Sequence, residues 1–311
     1  MNKIQTKHLL GLEHISKEDI TNFIDLGFTF REILERPIKK VPILKGKNIV
    51  NLFFENSTRT KISFELAEKR LSADVTNFSA SSSSVKKGES LKDTIQNIHM
   101  MKMDAVVMRH PVPGSALQLT NYVDVPIINA GDGTHEHPTQ ALLDMMSIKE
   151  KFGKLEGLNI GIVGDILHSR VALSNIFGLV KMGANVKLCA PPHLIPRNIE
   201  SLGATITYSI DELLNWADAV NILRIQRERM GVGIIPSTRE YRKFFGITNE
   251  RIKRIKKEII IMHPGPINRG VEIDSEVADS EQAIILDQVL NGVAVRMSVL
   301  YLLLGGAGIE K

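Results

Sequence analysis

Short apolar segments alternate with helical patterns along the whole chain, and this alternation constrains the fold more than any other feature. Strand-like composition is found at residues 48–54, 75–78, 105–108, 126–129, 159–163, 185–190, 204–208, 219–223 and 258–262. Helical patterns begin near Thr60, Ser90, Ser115, Pro138, Ser169, Asp211, Thr238 or Thr248, and Glu281. Because parallel strands require crossover connections, we expect an α/β fold with parallel sheets covered by helices on both faces.

The strand–helix units form two series, which predict two doubly wound domains. A chain of 311 residues is long enough for two cores. The short polar segment Phe152-Gly-Lys-Leu-Glu-Gly157 separates the series. We therefore assign residues 1–150 to a first domain and residues 151–288 to a second. An apolar helix near residues 292–304 must be buried, so residues 289–311 either complete the first domain or pack in an interface.

Composition and charge exclude several classes of protein. Hydrophobic residues make up 43% of the chain, charged residues 24%, and the net charge is +4. The basic run at residues 251–257 alternates with Ile252 and Ile255, which favours a solvated helix face over a nucleic-acid surface. Cys189 has no partner for an intrachain disulfide and is expected in the core. No secretory signal pattern is found, and Arg296 interrupts the longest apolar stretch. We expect a cytoplasmic protein that binds neither nucleic acid nor membrane.

The turn Ser57-Thr-Arg-Thr60 lies between a buried strand and an amphipathic helix. The first turn of a helix has unbonded N–H groups and the positive end of the dipole, which attract anions. Three hydroxyls and a forked guanidinium suit a phosphate. An ordinary N-cap would explain one hydroxyl but not this whole set. The turn therefore indicates a phosphate site.

Polar clusters follow other predicted strands at their carboxyl ends, where open parallel sheets bind ligands. These clusters occupy residues 109–111, 130–140, 164–170, 224–227 and 263–269. Donors dominate them, whereas the clustered carboxylates are Asp132, Glu136 and Asp165. We expect a strongly anionic ligand, held and polarised in the cleft between the domains.

Two other readings of these clusters are open. His135, His137 and Asp132 could bind a metal, but no further ligand follows at short spacing. Gly161 and Gly164 after a strand suggest a dinucleotide loop, although the full glycine spacing is missing. We expect neither a metal nor an organic cofactor.

The motifs taken together resemble those of the aspartate carbamoyltransferases, within the aspartate/ornithine carbamoyltransferase family. They are Ser57-Thr-Arg-Thr60, Lys86-Lys-Gly-Glu89, Arg109-His-Pro111, His137-Pro-Thr-Gln140, Arg224-x-Gln226 and His263-Pro-x-Pro266. The Ser-Met-Gly loop and His-Cys-Leu-Pro segment of the ornithine enzymes do not occur in the chain. The resemblance implies transfer of a carbamoyl group to aspartate, the committed step of pyrimidine synthesis, without a cofactor.

The resemblance also implies roles for individual residues. The phosphate of carbamoyl phosphate would be held by Ser57, Thr58, Arg59, Thr60 and Arg109. The carbamoyl oxygen would accept from Thr60, Arg109 and His137. Its amide would be oriented by Gln140 and the carbonyls of Gly265 and Pro266. Aspartate would be bound by Lys87, Arg170, Arg224 and Gln226.

In this family the loop that corresponds to Ser83 and Lys87 reaches a neighbouring subunit's site, which implies a homotrimer. Regulatory chains or a dihydroorotase are possible further partners. Family members often have leucine at the position of Gly265, and we expect a backbone contact there to survive that change. The alternatives to be separated are a transcarbamylase for another amino acid, such as ornithine, and an anion-binding regulatory protein.

Overall fold

The computed structural model describes residues 4–79, 90–225 and 237–305, and it divides into two units. The first unit comprises Met1–Met146 and Leu290–Lys311, and the second comprises Ser147–Val289. The sequence placed the first break after residue 150 instead of 146. It placed the return of the chain at residue 289 instead of 290.

The first unit contains a parallel four-stranded sheet. Its strands are β1 (Asn48–Phe53), β2 (Asp74–Ser79), β3 (Ala105–His110) and β4 (Ile127–Asp132), in the order β2-β1-β3-β4. Its helices are α1 (Lys17–Glu35), α2 (Thr58–Arg70), α3 (Leu91–Met100), α4 (Ser115–Leu119) and most of α5 (Pro138–Phe152). The two central strands, β1 and β3, are buried almost throughout, as the near-continuous apolar runs of central parallel strands require.

The second unit contains a parallel five-stranded sheet. Its strands are β5 (Asn159–Val163), β6 (Asn185–Cys189), β7 (Ala204–Thr207), β8 (Ala219–Ile222) and β9 (Ile260–Met262), in the order β7-β6-β5-β8-β9. Its helices are α6 (Arg170–Lys181), α7 (Ile210–Trp216), α8 (Thr238–Phe245), α9 (Asn249–Arg254) and α10 (Ser275–Ala278). Two 3-10 segments, Pro192–Leu194 and Ile199–Leu202, lie before β7. The prediction of two parallel sheets with flanking helices is confirmed.

Helix α11 (Ile285–Leu303) crosses the boundary between the units, and its later part packs in the first unit. The Ser298 hydroxyl donates to the Phe23 carbonyl of α1 at 2.7 Å, and the rings of Phe30 and Tyr301 meet edge to face. This packing matches the first of the two placements that the sequence left open. The sequence prediction was wrong about length, because one continuous helix replaces separate starts near residues 281 and 292.

By length and composition alone, α11 could cross a membrane. The apolar stretch identified in the sequence is shorter than this helix and did not indicate a membrane span. In the structure, 61% of its most apolar window is buried. Buried core helices of water-soluble proteins have the same composition. The packing against α1 therefore accounts for its apolar character.

The cores form where the strand faces meet the helices. In the second unit, Cys189 packs with Ile210, Leu213 and Ile222, and it has no disulfide partner. Burial raises the pKa of its thiol to about 12. Cys189 is thus a packed core thiol, as the sequence predicted.

Candidate active site

The phosphate-site motif occupies the first turn of α2, directly after β1. Ser57 is the N-cap residue, and its side chain makes no capping hydrogen bond to α2. The helix begins at Thr58, two residues earlier than the pattern suggested, so Arg59 and Thr60 lie in its first turn. Here the N–H groups of the turn and the side chains of the motif share one helix end. This geometry favours the binding of an anion over the role of an ordinary N-cap.

Arg109 lies at the end of β3, which is the neighbour of β1 in the sheet. From β1 the chain continues to β2 on one side of the sheet, and from β3 it continues to β4 on the other side. A topological switch point therefore falls between β1 and β3. The Arg109 guanidinium donates to the Ala130 carbonyl at 3.2 Å and to Glu55 Oε1 at 2.9 Å. The side chain is 10% exposed, so these two bonds fix a nearly buried cation beside the α2 turn.

The Asp132 carboxylate connects residues 130–137 to neighbouring segments of the first unit. Asp132 accepts from Gly114 N at 2.7 Å, Asn129 Nδ2 at 2.8 Å and Glu136 N at 3.1 Å. Burial alone would raise the pKa of Asp132, but these bonds and the one from His135 outweigh burial and lower it. The same Asp132–His135 bond raises the pKa of His135 against the effect of burial.

Glu136 ties the N-terminal segment to the same loop. Its carboxylate is buried and accepts from Leu12 N at 2.7 Å and Glu13 N at 3.3 Å. Glu13, His135 and Glu136 bring possible metal-ligand atoms within 4.8 Å of one another. His137 and Asp132 do not belong to this group, so the combination that the sequence suggested for a metal is not the one assembled.

His137 and Gln140 are placed by the start of α5. The His137 carbonyl accepts from the amides of Gln140 and Ala141, so His137 caps the helix that Pro138 begins. His137 is buried, whereas Gln140 is half-buried and donates through Nε2 to Asp144 Oδ1 at 3.0 Å. Both residues therefore lie in the first unit with the α2 turn and Arg109.

The second unit has its own switch point, between β5 and β8. Arg170 is the first residue of α6 after β5, and Arg224 follows β8. At Gly164 the backbone has φ +124°, and a Cβ would lie 2.9 Å from the Leu223 carbonyl. This close approach explains the glycine that suggested a dinucleotide loop, and it holds the two arginine-bearing segments side by side.

The His263-Pro-Gly-Pro266 segment follows β9, the next strand beyond β8. The Gly265 amide donates to His263 Nδ1 at 2.7 Å, which leaves Nε2 as the protonated ring nitrogen facing Glu272 Oε1 at 3.3 Å. The same Glu272 oxygen accepts from Asn268 N at 2.5 Å. Both His263 and Glu272 are buried, so they fix the turn that contains the cis Gly265–Pro266 peptide.

Several predicted site residues lie outside the described residues, namely Ser83, Lys87 and Gln226. Conversely, sequence reasoning missed Glu55 and Asp144, which contact the predicted site residues Arg109 and Gln140. It also missed Glu272, which contacts His263 of the motif that contains Gly265 and Pro266. Asp144 lies one helical turn after Gln140, and that spacing was a signal that could have been used. Glu55 and Glu272 had no comparable signal in the sequence.

Models of two protein-family domains match nearly the whole chain. The carbamoyl-phosphate-binding domain of aspartate/ornithine carbamoyltransferase matches residues 7–150. The aspartate/ornithine-binding domain matches residues 156–303. The chain belongs to the aspartate/ornithine carbamoyltransferase family.

The chain is similar to family members that are named aspartate carbamoyltransferases. The aspartate carbamoyltransferase catalytic subunit of Christiangramia forsetii is 61% identical over 97% of both chains, and that of Flavobacterium johnsoniae is 58% identical over 97% of this chain and 98% of its own. Trypanosoma cruzi aspartate transcarbamoylase, solved with carbamoyl aspartate and phosphate, has a TM-score of 0.86 at 31% identity, covering 94% of both chains.

The fold alone does not separate the two branches of the family. Ornithine carbamoyltransferase from Pyrococcus furiosus has a TM-score of 0.85, covering 99% of this chain and 100% of its own, at 27% identity. The much higher identity to aspartate carbamoyltransferase catalytic subunits supports the aspartate reading and does not support the ornithine alternative.

Proposed function

We propose that this chain transfers the carbamoyl group of carbamoyl phosphate to the α-amine of L-aspartate. The products are N-carbamoyl-L-aspartate and phosphate, which is the committed step of de novo pyrimidine biosynthesis. The observation that carries the proposal is the placement of the Ser57–Thr60 turn, Arg109 and the His137–Gln140 segment at neighbouring ends of one sheet. The high identity to aspartate carbamoyltransferase catalytic subunits supports the same reaction.

The first unit binds carbamoyl phosphate. Ser57, Thr58, Arg59 and Thr60 hold the phosphate with the N–H groups of the α2 turn, and Arg109 lies beside them. Arg109, Thr60 and His137 donate to the carbamoyl oxygen, which gains charge when the carbon becomes tetrahedral. Each such donor lowers the barrier by roughly 3 kcal/mol when it is already in place.

The chemistry is a direct transfer. The neutral α-amine attacks the carbamoyl carbon and forms the C–N bond, and the carbonyl oxygen takes the negative charge. The C–O bond to phosphate then breaks, and the departing phosphate accepts the proton that the amine releases. The protein's part is to hold both reactants in line and to stabilise the oxyanion.

The second unit binds aspartate. Arg170 and Arg224 lie at the β5–β8 switch point, and the residues proposed to complete the set are Gln226 and Lys87. Two carboxylates match this cationic set, whereas the side-chain ammonium of ornithine would be repelled by it. The carbonyls of Gly265 and Pro266 accept from the carbamoyl amide.

The proposed working form is a cytoplasmic homotrimer. Lys87 and Ser83 of one subunit act in the site of the next, as the resemblance to the family implies. Regulatory chains or a dihydroorotase are the further partners that such a trimer would accept.

A substrate panel tests the proposal. Purified protein is given carbamoyl phosphate with aspartate, ornithine and other amines, and phosphate and carbamoylated product are measured together. We expect equal amounts of phosphate and N-carbamoyl-L-aspartate, with no transfer to ornithine. Arg170→Ala should lose activity with aspartate, while Arg242→Ala, an exposed arginine paired with Asp274, is the matched control. Binding of phosphate analogues without any transfer product would instead support a regulatory protein.

A further inference from the structure

A buried carboxylate lies directly behind Gln140. Asp144 follows Gln140 by one turn of α5, is 0% exposed, and accepts from Gln140 Nε2 at 3.0 Å. An ionised carboxylate has acceptors and no donor, so the amide of Gln140 must turn its nitrogen toward Asp144. The Gln140 carbonyl oxygen then faces away from Asp144.

A buried arginine, Arg296, compensates the negative charge of Asp144. Arg296 of α11 is 4% exposed and is close enough to Asp144 for the carboxylate to favour its charged form. Burial and the nearby charge of Arg109 lower the pKa of Arg296 to about 10, so it remains a cation at neutral pH. The buried charges of Arg296 and Asp144 therefore compensate each other. Asp144 stays ionised and acts as a hydrogen-bond acceptor.

Arg296 also joins the two helices that carry the binding motifs. Its Nη1 donates to Ser63 Oγ of α2 at 2.9 Å, and its guanidinium lies over the Phe64 ring at 5.0 Å. The α2 turn and the start of α5 are therefore connected behind the site through Arg296 and Asp144. All of these residues belong to the first unit.

We propose that Asp144 is a positioning residue that selects carbamoyl phosphate through Gln140. By holding Nε2, Asp144 presents the Gln140 oxygen to the carbamoyl NH2 group, which is a donor. A ligand with a methyl group at that position would gain nothing from this acceptor. The inference rests on the proposed function, because it concerns how that function recognises its substrate.

The test compares two acyl phosphates that differ at this one group. The dissociation constants of carbamoyl phosphate and acetyl phosphate are measured by calorimetry for the unmodified chain and for Asp144→Asn. An asparagine can donate to Gln140 as well as accept from it, so the Gln140 amide is no longer held in one orientation and can turn its NH2 toward the carbamoyl NH2. Preference for carbamoyl phosphate should fall about tenfold, while acetyl phosphate binding stays unchanged, since one neutral hydrogen bond is lost.

Two further variants make the outcome decisive. Glu68→Gln changes another buried carboxyl of the first unit to an amide and should leave the preference unchanged. Gln140→Met removes the amide and should lose the same preference, and adding Asp144→Asn to it should change nothing more. Gln140→Met also carries the test if Asp144→Asn does not yield folded protein.

The outcomes separate this inference from the proposed function. If the unmodified chain makes N-carbamoyl-L-aspartate but Asp144→Asn weakens both acyl phosphates equally, or weakens neither, the positioning role is wrong and the function stands. The same conclusion follows if Gln140→Met keeps the preference. If the unmodified chain binds no carbamoyl phosphate, both the function and the inference are overturned.

Discussion

Glu68 is a buried carboxyl on the inner face of α2, and it makes the stability of the first unit depend on pH. It is 0% exposed, and its Oε2 accepts from Asn51 Nδ2 of β1 at 2.9 Å. Burial raises the pKa of Glu68 to about 8, a smaller effect of Glu65 acts in the same direction, and the bond from Asn51 opposes it. The folded chain therefore keeps a proton that the unfolded chain releases near the ordinary value of 4.5.

The magnitude follows from the two pKa values. Below pH 4.5 the carboxyl is neutral in both states, and its contribution to stability is fully present. As the pH rises, the free energy of unfolding falls by about 1.4 kcal/mol per pH unit, and the loss is complete above about pH 8. The total is about 5 kcal/mol, a large share of the stability of an ordinary domain. Glu68→Gln, which is neutral at every pH, should remove this loss.

Amide hydrogen exchange of β1 and α2 between pH 5 and pH 8 measures the effect in the first unit alone. Glu68→Gln and the unmodified chain should be similar at pH 5, and the variant should be more stable by several kcal/mol at pH 8. Glu65→Gln is the matched control, because Glu65 lies on the same helix and its pKa is lowered by its bond to Lys69. Equal pH dependence in Glu68→Gln and the unmodified chain would refute the reasoning.

The site gives three further predictions. Arg109→Ala should lower kcat by at least about 10²-fold with an unchanged circular dichroism spectrum, because it removes a preorganised donor to the oxyanion; a change confined to KM would contradict that role. Inactive Lys87→Ala mixed with inactive Arg59→Ala should regain activity once subunits exchange, and no gain after verified exchange would count against shared sites. Glu272→Ala should raise KM for carbamoyl phosphate about tenfold by releasing the 263–266 turn. Glu272→Gln should change it little, since one oxygen accepts both bonds, and equal effects of the two variants would argue against this.

Much of the fold followed from local pattern. The strands begin or end within a few residues of their predicted bounds, because buried parallel strands have short apolar runs that polar turns interrupt. The clearest miss was α1, although Ser16 accepts from Asp19 N as a typical N-cap and apolar residues follow at helical spacing. That signal was present in the sequence and was not used.

The site was less predictable where it depends on distant contacts. The motifs indicated which side chains would bind, and the two switch points bring those motifs to neighbouring strand ends. The sequence assigned no partners to the clustered carboxylates, because Asp132 and Glu136 accept hydrogen bonds from backbone amides of segments far apart in sequence. Glu55, which lies 54 residues from its partner Arg109, could not be assigned to it without the fold.

The central claim is that Arg59, Arg109 and His137 act together on one small molecule. A crystal structure with N-(phosphonacetyl)-L-aspartate tests it most directly, since the phosphonacetyl end stands in for carbamoyl phosphate. We expect donors of all three residues within about 3.5 Å of phosphonate or acetyl oxygens of a single ligand. A bound ligand that touches one of these residues while the others lie too far away to reach it would contradict the account.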